Sequence, residues 1–198
     1  MKKRYKFKKL INEYRSLFYE LKYIKEVLKD GNLEFETYHR QYCADNDLDL
    51  NELNSKNSKR IDQIFSNNTG IMINPKTKSD GSEFDPKHLF RQIARKFHPD
   101  TVAPDDPQQK EFEEVFKKAS GAIDNGRWGE LFDIADKHDL ALGDYGEINK
   151  CLEIDIVKVK KEIKQQKDTY AWLLFECDGN EDCKQNIVRR FLKHLFNI

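Results

Sequence analysis

Three groups of residues in this 198-residue chain carry side chains that could do chemistry. The first is His98-Pro99-Asp100, an imidazole and a carboxylate two residues apart across a proline. A histidine so placed could act as a base or a metal ligand. Pro99 fixes its own backbone and disfavours helix at the residue before it, so His98 is expected in a loop. The second is His138-Asp139, a pair able to share a divalent metal with further ligands. No other His or Asp stands at a convincing spacing, so no metal and no cofactor are expected. The third is the set of four cysteines, Cys43, Cys151, Cys177 and Cys183. None forms a C-x-x-C pair, which argues against structural zinc. Cys177 and Cys183 flank a turn and are read as free thiols, a disulfide remaining open in an oxidising compartment.

The elements that must position His98 are legible. Asp85-Pro86 is a helix start, an N-cap followed by proline at the first helical position. Phe90, Ile93, Ala94 and Phe97 then recur at helical spacing, and Pro99 ends the run. Lys87, Arg91 and Arg95 stand at i, i+4 and i+8, and therefore line the opposite face. Asp106-Pro107 opens a second helix with the stripe Phe112, Val115, Phe116, Ala119, Ala122 and Ile123, closed by Asn125-Gly126. A shorter helix with Trp128, Leu131, Phe132 and Ala135 ends near Leu140.

Long helices flank this region. Leu10, Tyr14, Leu17, Leu21, Ile24 and Leu28 follow a heptad seam over 7–29, and Asp30-Gly31-Asn32 is expected to stop that helix. A further helix is expected from Leu33 to about Ala44, with a loop over Asp45–Ser58. Leu152, Ile156, Val159, Ile163, Gln166, Tyr170 and Leu173 form a second seam. Two such stripes invite pairing, because each is left wet alone. The fold class read from these patterns is all-α, with the two seams packed as an antiparallel coiled-coil-like stalk. A last helix presents Ile187, Val188, Phe191, Leu192 and Leu195. The expected organisation is an N-terminal helical region over 1–65, a linker over 66–84, a module over 85–142 and a C-terminal helical hairpin over 147–198. Turn chemistry dominates 66–86, with a short extended piece at Ile71-Met72-Ile73.

Composition bounds the partners. Charged residues make up 35% and apolar residues 38%, which suits solvent-rich helices better than one thick core. Basic and acidic residues balance at 35 each, so bulk charge gives no reason to expect nucleic acid or a membrane as partner. Residues 1–30 carry ten Lys or Arg against four Asp or Glu, read as a solvated helix face. No stretch approaches the roughly 20 apolar residues of a membrane span. No secretory leader is recognisable, and the expected location is cytoplasmic.

The segment Lys87-His-Leu-Phe-Arg-Gln-Ile-Ala-Arg-Lys-Phe-His-Pro-Asp100 resembles the second helix and loop of the J-domain (DnaJ-like) co-chaperone family. Phe90 and Arg91 stand eight and seven residues before His98, Ile93 and Ala94 five and four before it, and Lys96 and Phe97 fill the last two places. Phe112 lies fourteen residues beyond His98, where the family places the first core aromatic of its third helix. The match covers about residues 85–140. The family's first helix is not recognisable before residue 87, although Ile61, Ile64 and Phe65 within Ser58–Ser66 could replace it. No Gly/Phe-rich region or zinc-binding repeat is present.

The resemblance implies a J-domain-like helical hairpin and a non-enzymatic co-chaperone that binds a DnaK-type ATPase chaperone and stimulates its ATP hydrolysis. It implies contact residues His98, Pro99 and Asp100, assisted by Lys87, Arg91, Arg95 and Lys96. The client is unspecified, and the seams are compatible with one chain or two. The alternative is a helical scaffold with a degenerate J-like domain. His138-Asp139 also resembles the doublet of HD phosphohydrolases, but a solvated helix end explains it more simply.

Overall fold

The computed structural model describes residues 1–67, 85–103 and 106–198, with the side chains of 59–67 left aside. Eight α-helices and no strand occur among the described residues: α1 (Lys2–Asp45), α2 (Leu50–Asn67), α3 (Pro86–Phe97), α4 (Gln109–Asp124), α5 (Trp128–Lys137), α6 (Tyr145–Lys167), α7 (Tyr170–Phe175) and α8 (Glu181–Phe196). The all-α class is therefore correct. Beyond Asn67, the expected linker and the extended piece at 71–73 fall outside the described residues. Contacts divide the chain into two compact units, each discontinuous in sequence. One joins Met1–Leu21 to Lys78–Glu162, the other Lys22–Thr77 to Ile163–Ile198.

In the first unit, Phe7, Leu10, Ile11 and Tyr14 of α1 are buried, as are Ile148, Leu152 and Ile156 of α6. Asn149 Nδ2 donates to the Lys3 carbonyl at 3.0 Å, Lys6 pairs with Glu153 at 2.7 Å and Lys160 with Glu13 at 2.6 Å. Residue numbers climb together along both helices, so these segments run parallel. The antiparallel arrangement expected from the seams is corrected here. By way of α3, α4 and α5 the chain comes back to the start of α1, where Asp144 meets Lys3 at 3.5 Å.

On this pair sits α5. Arg15 holds Asp133 and, at 2.9 Å, Asp136, while Lys8 reaches Asp136 at 2.6 Å. Against α5 pack α3 and α4. Ring pairs Phe97–Phe112 at 5.1 Å and Phe90–Phe116 at 6.0 Å show that α3 and α4 form an antiparallel hairpin. Asp85 caps α3 by accepting from the Lys87 amide at 2.9 Å, and Gly126 closes α4 with φ +62, as their sequence signals require.

In the second unit, α1 continues through Asp30-Gly31-Asn32, which is a correction to the expected stop. Asn32 bonds back to the Leu28 carbonyl at 2.6 Å, and Gly31 approaches the Ala171 carbonyl, leaving 4.0 Å to where a Cβ would stand. A mid-helix glycine costs about 1 kcal/mol relative to alanine. Burying Leu28 and Phe35 on either side outweighs it. Phe35 meets Phe191 at 5.0 Å and Tyr170 at 6.1 Å. The expected loop over Asp45–Ser58 is also corrected. Asp49 accepts from the amides of Asn51 at 2.8 Å and Glu52 at 3.2 Å, and so starts α2 within it. That helix contains Ser58–Ser66 and packs on α8. The second seam breaks at Asp168-Thr169, where Thr169 Oγ1 accepts from the Trp172 amide at 3.3 Å and begins α7.

Cys177 and Cys183 are joined as a disulfide between α7 and α8, with Cα atoms 5.6 Å apart, while Cys43 and Cys151 are free and buried. This corrects the free-thiol reading, because the turn brings the two cysteines to bridging distance. Protein purified without reductant and then denatured is expected to titrate two thiols, and four after reduction. With a sequence separation of 6, reduction is expected to lower stability by about 2 kcal/mol, read from the urea midpoint. Four thiols before reduction would show that the bond does not form.

Candidate functional site

The loop between α3 and α4 assembles His98, Pro99 and Asp100. The helix ends where the His98 amide donates to the Ala94 carbonyl at 2.8 Å, and a single 3-10 turn, Pro99–Thr101, follows. The turn is closed twice at the His98 carbonyl, by the Thr101 amide at 2.9 Å and by Thr101 Oγ1 at 2.6 Å. The imidazole lies edge-on to the Phe116 ring, centroids 4.9 Å apart and planes at 69°. Its Nδ1 accepts from the Asp100 amide at 3.3 Å. The His98 side chain is 44% exposed and that of Asp100 86% exposed, so the carboxylate stands in solvent from a braced turn.

The basic residues divide into two sets. Lys87, Arg91 and Arg95 are exposed on one face of α3, opposite the buried Leu89, Ile93 and Phe97. Arg91 also pairs with Asp85 at 3.3 Å and donates from Nε to the Lys87 carbonyl at 3.1 Å. Lys96 departs from the stripe. Its ammonium donates to the His138 carbonyl at 3.1 Å and sits 5.4 Å from the Phe97 ring centre, tying α3 to the end of α5. The structure thus brings His98, Pro99 and Asp100 together at the loop, lays Lys87, Arg91 and Arg95 along the helix leading to it, and ties the exposed Lys96 to the end of α5.

His138-Asp139 is a helix end. The His138 ring packs 4.5 Å from that of Phe97, and Asp139 takes a left-handed φ of 53. Among the described residues no group of three or more His, Cys, Asp or Glu is placed to hold a metal.

Sequence reasoning missed two contacts that hold these elements, one at the loop and one at the start of α5. Phe116 reads in sequence as one more core aromatic of α4, yet it contacts His98. Asp155 of α6, 3% exposed, accepts from the Gly129 amide at 2.8 Å and so caps α5 from another helix. Burial lifts the Asp155 carboxyl above the usual range, with bonds from the Gly129 amide and Lys158 only partly offsetting it. Beside it, burial pushes the Tyr14 hydroxyl well above the ordinary tyrosine value, and the charges of Glu130 and Asp155 add to this. A cap supplied across 26 positions leaves no local sequence signal.

No known protein family, curated protein or solved structure matches the chain. Among the described residues no helix is long and apolar enough to cross a membrane.

Proposed function

We propose that this chain is a J-domain-type co-chaperone, not an enzyme, that binds a DnaK-type ATPase chaperone through His98, Pro99, Asp100 and the basic face of α3 and stimulates its ATP hydrolysis. The observation that carries the reading is the presentation of the tripeptide. His98 and Pro99 are braced in a closed turn while the Asp100 carboxylate stands 86% exposed at the end of a basic helix. An exposed carboxylate on a rigid turn suits a charge-assisted hydrogen bond to a partner arginine. Lys87, Arg91 and Arg95 would steer an acidic partner surface and raise the association rate more than the affinity.

The alternative, a scaffold whose J-like hairpin is only an adaptor, is favoured by one observation. Arg91 and Lys96 already have partners within the protein, in Asp85 and the His138 carbonyl. Single-turnover ATP hydrolysis by a DnaK-type chaperone from the same organism separates the two. Stimulation by wild type and none by His98→Gln is expected. No stimulation by wild type would leave the scaffold. We place the protein in the cytoplasm, without cofactor or nucleic acid.

A further inference from the structure

We infer that Phe116 is a positioning residue for His98, locking the imidazole in one orientation and one tautomer before any partner arrives. Three constraints meet on this ring. The Asp100 amide donates to Nδ1 at 3.3 Å, which requires a lone pair there and leaves the proton of the neutral ring on Nε2. No hydrogen bond to Nε2 is formed among the described residues. Phe116 fixes the plane of the ring by an edge-to-face contact at 4.9 Å. Phe116 is itself held, 6.0 Å from the Phe90 ring on the facing helix. The third constraint is covalent: Pro99 restricts the backbone on both sides of its own amide.

The loop therefore offers a hydrogen-bond donor, Nε2–H, next to an acceptor, the Asp100 carboxylate. A surface that fits offers the reverse order, an acceptor facing His98 and a guanidinium facing Asp100. Turning the ring over would place the lone-pair nitrogen outward and lose the match. The Asp100 carboxylate, 3.5 Å from Nδ1, attracts that nitrogen only once it is protonated. Locking the ring in advance removes the cost of ordering one side chain on binding, roughly three- to tenfold in affinity. That gain rests on the co-chaperone reading, whereas the locked ring does not.

The test uses the full chain, labelled with 15N, and long-range proton–nitrogen correlation of its imidazoles, with His98→Gln to assign the signals. With the ring neutral, His98 of wild type is expected to show an unprotonated Nδ1 and ring protons displaced from free-imidazole positions by the Phe116 ring current. Phe116→Leu is expected to return those signals to free-imidazole values, and Phe116→Tyr to keep them as in wild type. In the chaperone assay, Phe116→Leu should raise the half-saturating concentration roughly three- to tenfold and keep the saturated rate, and Phe116→Tyr should restore both. A protonated Nδ1 in wild type, or His98 signals unchanged by Phe116→Leu, would overturn the inference. The wild-type spectrum needs no variant to fold, and it decides the tautomer even if wild type fails to stimulate the chaperone. That last result would remove the co-chaperone reading alone.

Discussion

Gly129→Ala is expected to destabilise the first unit by about 3 kcal/mol, measured as a fall in the urea midpoint. Gly129 lies in the first turn of α5, beneath the ring of the buried Tyr14. A Cβ at this position would stand 2.7 Å from Tyr14 Cδ2 and nearer still to Cε2 and Cζ. The far end of a flexible side chain could yield to such an approach. A buried aromatic ring cannot, so α5 must shift. Its shift would disturb the Lys96 bond to the His138 carbonyl and the packing of α3. Tyr14→Leu gives the new methyl room, so the double variant is expected to lose less than the sum of the two single losses. Strict additivity would show that the ring and the glycine are not in contact.

The same contact marks the boundary of what could be read from the sequence. Helix α3, its Asp85 cap, its apolar and basic faces and the loop after it all follow from local rules, and each was legible in residues no more than four apart. Three of the corrections concern the helices, and each has its own cause. At Gly31 a local stop signal lost to burial of residues on both sides. At Asp45–Ser58 a polar stretch low in apolar residues became helical because Asp49 caps it, a signal hidden among many similar Asn and Asp residues. The direction of α1 against α6 is absent from either heptad seam, since an apolar stripe reads the same for parallel and antiparallel packing. What sets it is the route of the chain through α3, α4 and α5. The candidate site divides in the same way. Its exposed groups follow from the tripeptide, while Phe116 and Asp155 act through contacts between helices, where residue type alone carries no instruction.

Asp155→Ala is expected to cost about 2 kcal/mol, because it strands the buried Gly129 amide at the start of α5. Asp155→Asn keeps an acceptor for that amide and is expected to stay close to wild type at neutral pH. The pair of variants separates the hydrogen bond from the charge, and pH separates them further. Burial raises the Asp155 carboxyl above its unfolded value, so between those two values the folded chain binds more protons than the unfolded one. Its contribution therefore falls as pH rises through the window just above the ordinary Asp range. Asp136 has the opposite sign. Burial would lift it, but hydrogen bonds from Lys8 and Arg15 outweigh that and hold it below the ordinary value. Its stabilisation is complete above the unfolded value and is lost as pH falls through the folded one. The two groups thus bend the stability profile in opposite senses, Asp155 contributing a decline on the neutral side and Asp136 a decline on the acid side. Denaturant midpoints across this range are expected to show that Asp155→Asn abolishes the first decline and leaves the second. A neutral-side decline unchanged in Asp155→Asn would mean that another group titrates there and that the buried cap is already protonated or solvated.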